Sequence, residues 1–206
     1  MMPNGKREQN IRRIIEMEDR ICICKRCLAL TQCVRKPSLG KGDLDPVIML
    51  VFEAESPYTA DINKIIELRN IIKDTTGIEK IYHTYMVRCC PKSCSTLQNT
   101  TCYLNTKLLD KEYNCALSRS RCNGIPVRPH NEDIISCLPF LLEEIEILKP
   151  NYVFMFGKRV VEFLLRSYGI FDEIEVGHAY KHEDLVLFAT VEENLFKASD
   201  LADFKR

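Results

Sequence analysis

Cysteine is the residue type whose number and spacing point to chemistry in this chain. Eleven of the 206 residues are cysteines, and the segment 22-CICKRC-27 holds a CxxC pair, Cys24 and Cys27. A CxxC on a tight turn supplies two metal ligands from one place. The charged N-terminus lacks the apolar core and cleavage site of a signal peptide, so we expect a cytoplasmic protein without a disulfide framework. We predict that at least four of the cysteines bind metal.

Spacing alone leaves two questions about these cysteines open. A cysteine can also serve as a small buried hydrophobic residue, an interpretation that suits a single residue such as Cys33 better than a CxxC pair. Four thiolates are the usual ligands of iron–sulfur clusters, and they also suit zinc. The residues by themselves therefore predict a thiolate metal site without naming its metal.

The overall composition excludes several classes of protein. With 46% hydrophobic and 28% charged residues, the chain has the composition of an ordinary globular protein and not of a disordered one. No apolar run approaches the roughly 20 residues of a membrane-spanning helix, so we expect no membrane association. The net charge is zero, which removes one argument for nucleic-acid binding but does not exclude a local basic face.

The elements that must position the cysteines follow an alternating order. Apolar periodicity predicts helices over 7–20, 61–75, 131–148, 158–168 and 194–204, with Asp61 as an N-cap and Pro139 as a kink or break. Short apolar or β-branched runs predict strands over 47–52, 80–87, 152–156 and 185–190. This alternation predicts one domain over 1–206, an α/β/α sandwich around a four-stranded, mostly parallel sheet.

One long segment, 90–127, does not fit this alternation. It has little periodicity and reads as a Cys-rich insertion within the domain. A second metal site, with zinc bound by four of its cysteines, is one interpretation, and free thiols are the other, because no two of them form a CxxC pair. The five cysteines are Cys90, Cys94, Cys102, Cys115 and Cys122.

The order of several motifs resembles a known family. These motifs are 24-CKRC-27, 40-GKGD-43 before the first strand, 52-FEAESP-57 after it, 84-TYMVRC-89, 128-RPHNEDIISCLPFL-141 and 149-KPNYVFMFGKRVVEFLL-165. Together they resemble the family-4 uracil-DNA glycosylases, the iron–sulfur branch of the uracil-DNA glycosylase superfamily. The resemblance covers roughly residues 20–195 outside the insertion. It implies a four-stranded parallel sheet between helices, as the element order predicts.

The resemblance also implies a cofactor and its ligands. Members of this family hold a [4Fe–4S] cluster, and their ligand positions match Cys24, Cys27, Cys89 and Cys137. It favours iron–sulfur over zinc at this site. Cys22, two residues before Cys24, is a competing ligand, although the match of CxxC followed by Leu favours Cys24 and Cys27.

The motifs of the family's active site are altered in this chain. The first motif, Gly-Glu-Ala-Pro-Gly, reads Phe52-Glu53-Ala54-Glu55-Ser56, so Phe52 is expected to obstruct or remodel the pocket. Tyr58 is the only aromatic residue left in the following segment. An Asn that reads the uracil edge is replaced by Tyr85, whose hydroxyl cannot offer the paired donor and acceptor of an amide.

The family's second catalytic motif is altered as well. Its His, which stabilises charge on the departing uracil, is replaced by Glu192, and Asn194 follows in the same turn. A carboxylate there would repel an oxyanion. His178 and His182 lie upstream and are expected to be surface residues.

Two functional hypotheses follow from these alterations. The first is a glycosylase of the DNA base-excision-repair type, acting on damaged or single-stranded DNA with altered or lost uracil excision, in which Glu53 positions water. The second is an inactive cluster protein that binds nucleic acid or a protein partner. Its candidate phosphate contacts are Lys25, Arg26, Arg35, Lys36, Lys41, Lys158 and Arg159. A weaker third hypothesis is redox sensing through the Cys-rich insertion.

Overall fold

The computed structural model of the protein describes residues 4–27, 37–89, 92–93, 112, 114–122, 125–202 and 204. Its strands are β1 (Lys41–Gly42), β2 (Ile48–Phe52), β3 (Ile81–Tyr85), β4 (Lys92–Ser93), β5 (Ile125–Pro126), β6 (Tyr152–Phe156), β7 (Ala179–His182) and β8 (Leu185–Thr190). Its helices are α1 (Asn4–Cys22), α2 (Ile62–Thr76), α3 (Asn131–Leu148) and α4 (Lys158–Ser167), followed by a 3-10 turn at Ala198–Leu201.

Six of these strands form one mixed sheet in the order β1-β3-β2-β6-β8-β7. The four central strands are parallel, with Ile48 opposite both Ile81 and Tyr152, while β1 and β7 run antiparallel at the two edges. The chain passes from β2 to β3 on one side and returns to β6 on the other. The strand order therefore reverses between β2 and β6, which is where open α/β sheets bind ligands.

Alternation along the strands produces a separate hydrophobic core on each side of the sheet. Met49 and Val51 face a core with α1, α3 and α4. Ile48, Leu50 and Phe52 face a second core with α2 and the 3-10 turn. Because β2 is buried on both faces, its uninterrupted apolar sequence is the pattern of a central parallel strand.

The predicted α/β sandwich with a parallel core is confirmed, but the sheet has six strands and not four. β1 was missed because two residues in a Gly- and Pro-containing loop carry no period-2 pattern. β7 was missed because its four residues AYKH are too few to show a period-2 pattern, and only Tyr180 is buried. It pairs with β8 across the turn Glu183–Asp184, so His182 lies opposite Leu185. Short antiparallel edges of this kind protect a parallel sheet from pairing with other chains.

The predicted helices are present with small shifts in their ends. Asp61 caps α2 as expected, its carboxylate accepting from the N–H of Asn63 at 3.0 Å. α3 continues through Pro139 without a break. Its first turn is closed by Asp133, which accepts from the N–H of His130 at 2.9 Å. The last predicted helix is only the 3-10 turn at Ala198–Leu201.

Most of the insertion at 90–127 lies outside the described residues. The strands β4 and β5, near its two ends, pair antiparallel, with Lys92 opposite Pro126. The one-domain organisation and the insertion's role stay predictions. Among the described residues, no helix combines the length and the apolar character needed to cross a bilayer.

A buried histidine makes the stability of this fold depend on pH. His83 lies on β3 with 3% of its surface exposed, and the Arg69 guanidinium contacts its Nδ1 at 2.7 Å. Burial, with the charges of Arg69 and Lys41, lowers the pKa of His83 from 6.5 to about 3. Between pH 6.5 and 3, His83 is therefore protonated in the unfolded chain and neutral in the folded chain. This stabilisation is complete above pH 6.5 and is lost as the pH falls toward 3.

We predict that His83→Asn reduces the pH dependence of stability. Between pH 7 and 5 the wild type loses about 2 kcal/mol of unfolding free energy through this one residue. The Asn variant keeps a hydrogen-bonding amide but does not titrate. Between pH 7 and 5, its free energy of unfolding, measured in urea, should therefore fall by about 2 kcal/mol less than that of the wild type. The exposed His178→Asn variant is the control and should behave as the wild type does. Equal pH slopes for all three proteins would contradict the prediction.

Candidate functional site

A cleft of about 520 Å³ opens at the carboxyl ends of β2, β6 and β8. It lies where the strand order reverses, so the fold itself places it at the expected ligand position. Three chain segments supply most of its lining: the turn after β2, the segment before α3 and the turn after β8. The lining residues are Glu53 to Tyr58, Lys64, Val127 to Pro129, Phe156, Gly157 and Glu192 to Asn194.

Glu53 is the most heavily bonded side chain of the cleft. Arg128 donates from Nη2 to its Oε2 at 3.0 Å and from Nε to its Oε1 at 3.1 Å. Arg159 donates to the same Oε1 from its Nη1. Two guanidinium groups thus hold the carboxylate of Glu53, and this leaves it few lone pairs with which to orient a water molecule.

Arg159 is fixed from both sides. It is the second residue of α4, and its Nη2 donates to the carbonyl of Pro129 at 3.0 Å and to Asn131 Oδ1 at 2.7 Å. Gly157 turns the chain from β6 into α4 with φ +88°, which a side chain would strain. Arg159 therefore joins α4, the start of α3 and the turn after β2 into one rigid wall of the cleft.

Phe52 and Tyr85 do not line the cleft. Phe52 is fully buried, and its ring lies 6.0 Å from the ring of Tyr85 and 4.9 Å from that of Phe156. Residues 48, 50 and 52 share one face of β2, so the side chain of Phe52 turns into the core with α2. The side chain of Phe52 does not obstruct the cleft, and it contacts the cleft lining from the core side, through Phe156.

Tyr58 lines the cleft within a hydrogen-bonded turn. The backbone N–H of Ser56 donates to Thr59 Oγ1 at 2.8 Å, and Lys64 lies over the Tyr58 ring at 5.4 Å from its centroid. Ser56 also donates from Oγ to Glu193 Oε1 at 2.8 Å, which ties this turn to the one after β8. The aromatic face of Tyr58 is thus already in contact with a cation.

The described lining is rich in carboxylates. Ala54, Glu192 and Asn194 line the cleft, as Tyr58 and Glu53 do. Its four carboxylates, those of Glu53, Glu55, Glu192 and Glu193, outnumber its two cations, Lys64 and Arg128. His178 and His182 are outside this lining and stack instead on Tyr180 and Tyr168. No described imidazole lines the cleft. Glu53 is paired with Arg128 and Arg159, so the negative charge that an anion would meet is that of Glu192 and Glu193 at the end of β8.

The segments that carry the four predicted cluster ligands pack against the core cluster that includes Cys137 on α3. The knuckle at 24–27 packs on this helix. Arg26 donates to the backbone carbonyl of Ser136, and Cys27 Sγ lies 3.9 Å from the backbone carbonyl oxygen of Asp133. Cys137 accepts from the backbone N–H of Arg88 at 3.4 Å, and Cys89 is the next residue along the chain. Cys22 is exposed.

Burial makes three of these thiols hard to ionise. Burial, with the negative charges of Asp133, Cys137 and Cys24, raises the pKa of Cys27 to about 11. Burial, with the charges of the other cysteines, raises the pKa of Cys89 to about 12. Burial also raises the pKa of Cys137. A bound cation would favour the loss of the protons of these buried thiols.

The fit of a metal group to these residues rests on two observations. The donor set is four thiols, the ligand set of iron–sulfur clusters. Beside it lies a buried cation, Arg88, which has hydrogen-bond donors to spare, as an anionic group requires. Against this, no group of three or more His, Cys, Asp or Glu among the described residues has the spacing of a metal site. The donor chemistry fits a cluster, which would have to draw the sulfur atoms together.

Two of the five cysteines proposed for a second site lie in the described part of the chain. Cys115 and Cys122 are buried, near the bridge between Asn114 and Arg121. Backbone N–H groups of Ser118 and Leu117 lower the pKa of Cys115. Cys90, Cys94 and Cys102 lie outside the described residues, so this site stays a prediction.

Three ion pairs central to these sites were not found from the sequence. Arg128 and Arg159 are the partners of Glu53, and Glu144 is the buried partner of Arg88. Glu144 lies on the apolar face of the predicted helix at 131–148. A carboxylate at such a position requires a buried hydrogen-bond donor, and this could have indicated its pairing. Nothing in the sequence pairs Glu53 with residues 75 and 106 positions away.

Comparison with known families gives one match. A sequence model described as the Uracil DNA glycosylase superfamily matches residues 5–197 of the chain. A search of curated proteins gave no significant match. The matched range spans α1, the whole sheet and the cleft.

We predict that the two arginines contribute unequally to the wall around Glu53. The side chains of Glu53 and Arg159 are 20% and 19% exposed, whereas that of Arg128 is 64% exposed. Double-mutant cycles with Glu53→Gln should give a coupling of about 1.5–3 kcal/mol with Arg159→Gln and below about 1 kcal/mol with Arg128→Gln. Urea unfolding of the single and double variants measures both. A coupling to Arg128 as large as that to Arg159 would refute this ranking.

Proposed function

The chain belongs to the uracil DNA glycosylase superfamily, and from that premise we propose an iron–sulfur protein of the DNA base-excision-repair type whose uracil excision is altered or lost. Superfamily membership supports a uracil-DNA glycosylase-like function. DNA is accordingly the proposed partner, with single-stranded or damaged DNA as the substrate and the reducing cytoplasm as the compartment.

The charge of the cleft is the observation that carries the altered activity. Uracil leaves its deoxyribose as an anion, and catalysis normally requires donors aimed at that developing charge. The described lining instead presents Glu192 and Glu193 at the end of β8, without an imidazole. These groups disfavour a departing anion by repulsion, so excision of uracil should be slow or absent.

The same cleft suits a base of the opposite character. A purine alkylated on a ring nitrogen is a cation while attached, and it departs as a neutral molecule when the glycosidic electron pair moves into its ring. The carboxylates of the lining, above all those of Glu192 and Glu193, stabilise such a cation. Water completes the reaction at the sugar carbon, and its proton goes to solvent. An alkylated purine therefore belongs in any substrate panel for this protein.

Glu53 acts in this proposal as a positioning residue. Both its oxygens accept hydrogen bonds from arginines, which suits a structural carboxylate better than a general base. It holds Arg128 at the exposed edge of the cleft, where a cation can meet a DNA phosphate.

The second candidate function is binding without catalysis. The exposed Lys25 and Arg26 on the knuckle beside α3 favour it, since exposed cations of this kind contact phosphates. Arg159 is taken up by Glu53, Pro129 and Asn131, so it drops out of the candidate phosphate contacts. A protein partner replaces DNA in this candidate if undamaged DNA does not bind at low salt.

The proposed cofactor is a [4Fe–4S] cluster held by Cys24, Cys27, Cys89 and Cys137. When bound, it supplies a covalent link among the knuckle after α1, the end of β3 and the middle of α3. The residues of the chain orient the knuckle: Arg26 lies 4.7 Å over the ring of Phe140, and α3 presents Cys137 to Arg88. Zinc in the Cys-rich insertion is a separate proposal.

A panel of modified oligonucleotides tests the enzymatic proposal. Single- and double-stranded substrates carry uracil, hypoxanthine, xanthine or 7-methylguanine, and abasic product is measured after alkaline cleavage. We expect little product from uracil and the most from the alkylated purine, because only that base departs neutral. Glu192→Gln should raise uracil excision roughly tenfold, as about 1.4 kcal/mol of repulsion is removed.

The matched control for Glu192 is Glu183→Gln. Glu183 lies in the turn between β7 and β8, at the opposite end of the sheet from the cleft, and its substitution should leave every rate unchanged. If none of the four bases yields product, the glycosylase proposal is wrong. Salt-dependent binding to undamaged DNA then decides between the nucleic-acid and protein-binding alternatives.

Metal analysis after anaerobic purification tests the cluster. We expect a brown protein with a band at roughly 400 nm and about four irons per chain. Cys137→Ser should abolish the band, because a buried ligand is lost, whereas the exposed Cys22→Ser should retain it. A colourless wild type that holds only zinc would exclude iron–sulfur, and loss of the band in Cys22→Ser would move the ligand from Cys24 to Cys22.

A further inference from the structure

Arg88 is a fully buried cation with more hydrogen-bond donors than partners. Only 1% of its surface is exposed, yet among the described residues its Nε and Nη1 have no acceptor. Its Nη2 donates to Glu144 Oε2. A buried guanidinium with unpaired N–H groups costs free energy, so such groups need an explanation in any stable fold.

Glu144 accepts from Arg88 through one nitrogen only and leaves Nε and Nη1 without an acceptor in the described part of the chain. It is fully buried and already accepts from the Tyr82 hydroxyl at 2.7 Å, from Thr84 Oγ1 at 2.6 Å and from Arg88. These neutral donors share the negative charge that would otherwise serve a bidentate arginine pair. Arg88 therefore contacts Glu144 through one nitrogen and has donors left over.

Sulfur atoms lie beside Arg88, and the charge of its guanidinium acts on one of them, that of Cys137. The backbone N–H of Arg88 already contacts Cys137 Sγ at 3.4 Å, and Cys89 is its neighbour in sequence. The guanidinium charge acts on Cys137 through space as well, lowering the pKa that burial raises. The other carboxylate near this charge is Glu18 on α1, which makes no hydrogen bond to Arg88 among the described contacts.

We propose that Arg88 is a positioning residue for the cluster, donating its spare N–H groups to the sulfur atoms and placing one buried positive charge beside them. The proposal rests on the iron–sulfur assignment above. Four thiolates around a [4Fe–4S]²⁺ core carry a net charge of −2, and reduction by one electron makes it −3. A guanidinium attached to Glu144 and aimed at this group would satisfy an orphaned donor and a buried anion together.

This role has a defined electrochemical consequence. A nearby positive charge and N–H···S bonds stabilise the more negative, reduced cluster more than the oxidised one, so they raise its reduction potential. They also slow loss of the cluster by holding its ligands in place. Removing the donors should therefore lower the potential and speed the loss of iron, while a purely structural arginine would leave the potential of a folded variant unchanged.

The experiment compares three anaerobically purified variants with the wild type. Arg88→Lys keeps the charge but loses the fork of donors. The double variant Arg88→Met/Glu144→Gln removes both charges and so leaves no unpaired buried carboxylate. It serves as the test if a single substitution of Arg88 prevents folding. Arg20→Lys is the matched control, because Arg20 donates to the adjacent Glu143 at 2.5 Å on the exposed side of the same helix pair. Readouts are the midpoint potential and the rate at which a chelator bleaches the visible band.

We expect at least a tenfold shift of the redox equilibrium toward the oxidised form, about 59 mV for one electron, in the folded Arg88 variants. Chelation should be several-fold faster in them and unchanged in Arg20→Lys. If the wild type is brown and its Arg88 variants keep the same midpoint potential and bleaching rate, this inference is wrong. A water molecule would then be the acceptor for the spare N–H groups of Arg88. A wild type without iron would overturn the iron–sulfur assignment, and this inference with it.

Discussion

The buried carboxylate of Glu144 is the interaction on which both functional regions depend. It lies on α3 and accepts from two residues of β3, Tyr82 and Thr84, and from Arg88, three residues past the end of that strand. A charge with no exposure is tolerated only when such donors surround it, and loss of them would leave it uncompensated at a cost of several kcal/mol. Gly40 covers Tyr82 so closely that a Cβ there would meet its hydroxyl at 2.1 Å. α3 therefore has one permitted position over the sheet.

The position of α3 sets the cysteine region and the cleft together. Its middle carries Cys137 to the backbone of Arg88, and its start carries Asn131 to Arg159, which in turn holds Glu53. The two regions are thus joined through a single helix whose register is set by a polar cluster, not by hydrophobic packing alone. Hydrophobic contacts tolerate small slides, whereas hydrogen bonds near 2.7 Å do not. The cysteine region and the wall of the cleft therefore share one helix as their common support.

Much of this arrangement was predictable because it follows from local patterns. The apolar run 47–52 and the strand–Gly–helix element at 152–165 define the parallel core, and motif order points to Cys24, Cys27, Cys89 and Cys137 as neighbours. The edge strands could not be predicted, since two- and four-residue strands exist only through pairing with β3 and β8. The partners of Glu53 were also beyond reach, because an ion pair 106 positions apart leaves no periodicity in the sequence. Long-range polar contacts are consequences of the fold and not signals for it.

Phe52 shows that the alternation of side chains along a strand decides whether a substituted residue faces the cleft or the core. In the turn motif it appears to replace a ligand-facing glycine, but β2 runs through residue 52 and alternation sends that side chain to the core with Phe156. The turn is then secured by backbone bonds from Met86 to Phe52 and from Val87 to Glu53, at 2.7 and 2.8 Å. Glu53 is the first residue free to face the cleft. In the proposed function, recognition therefore depends less on an obstructing aromatic ring than on the charge of the carboxylates around the opening. That charge disfavours an anionic leaving group while leaving the space for a base intact.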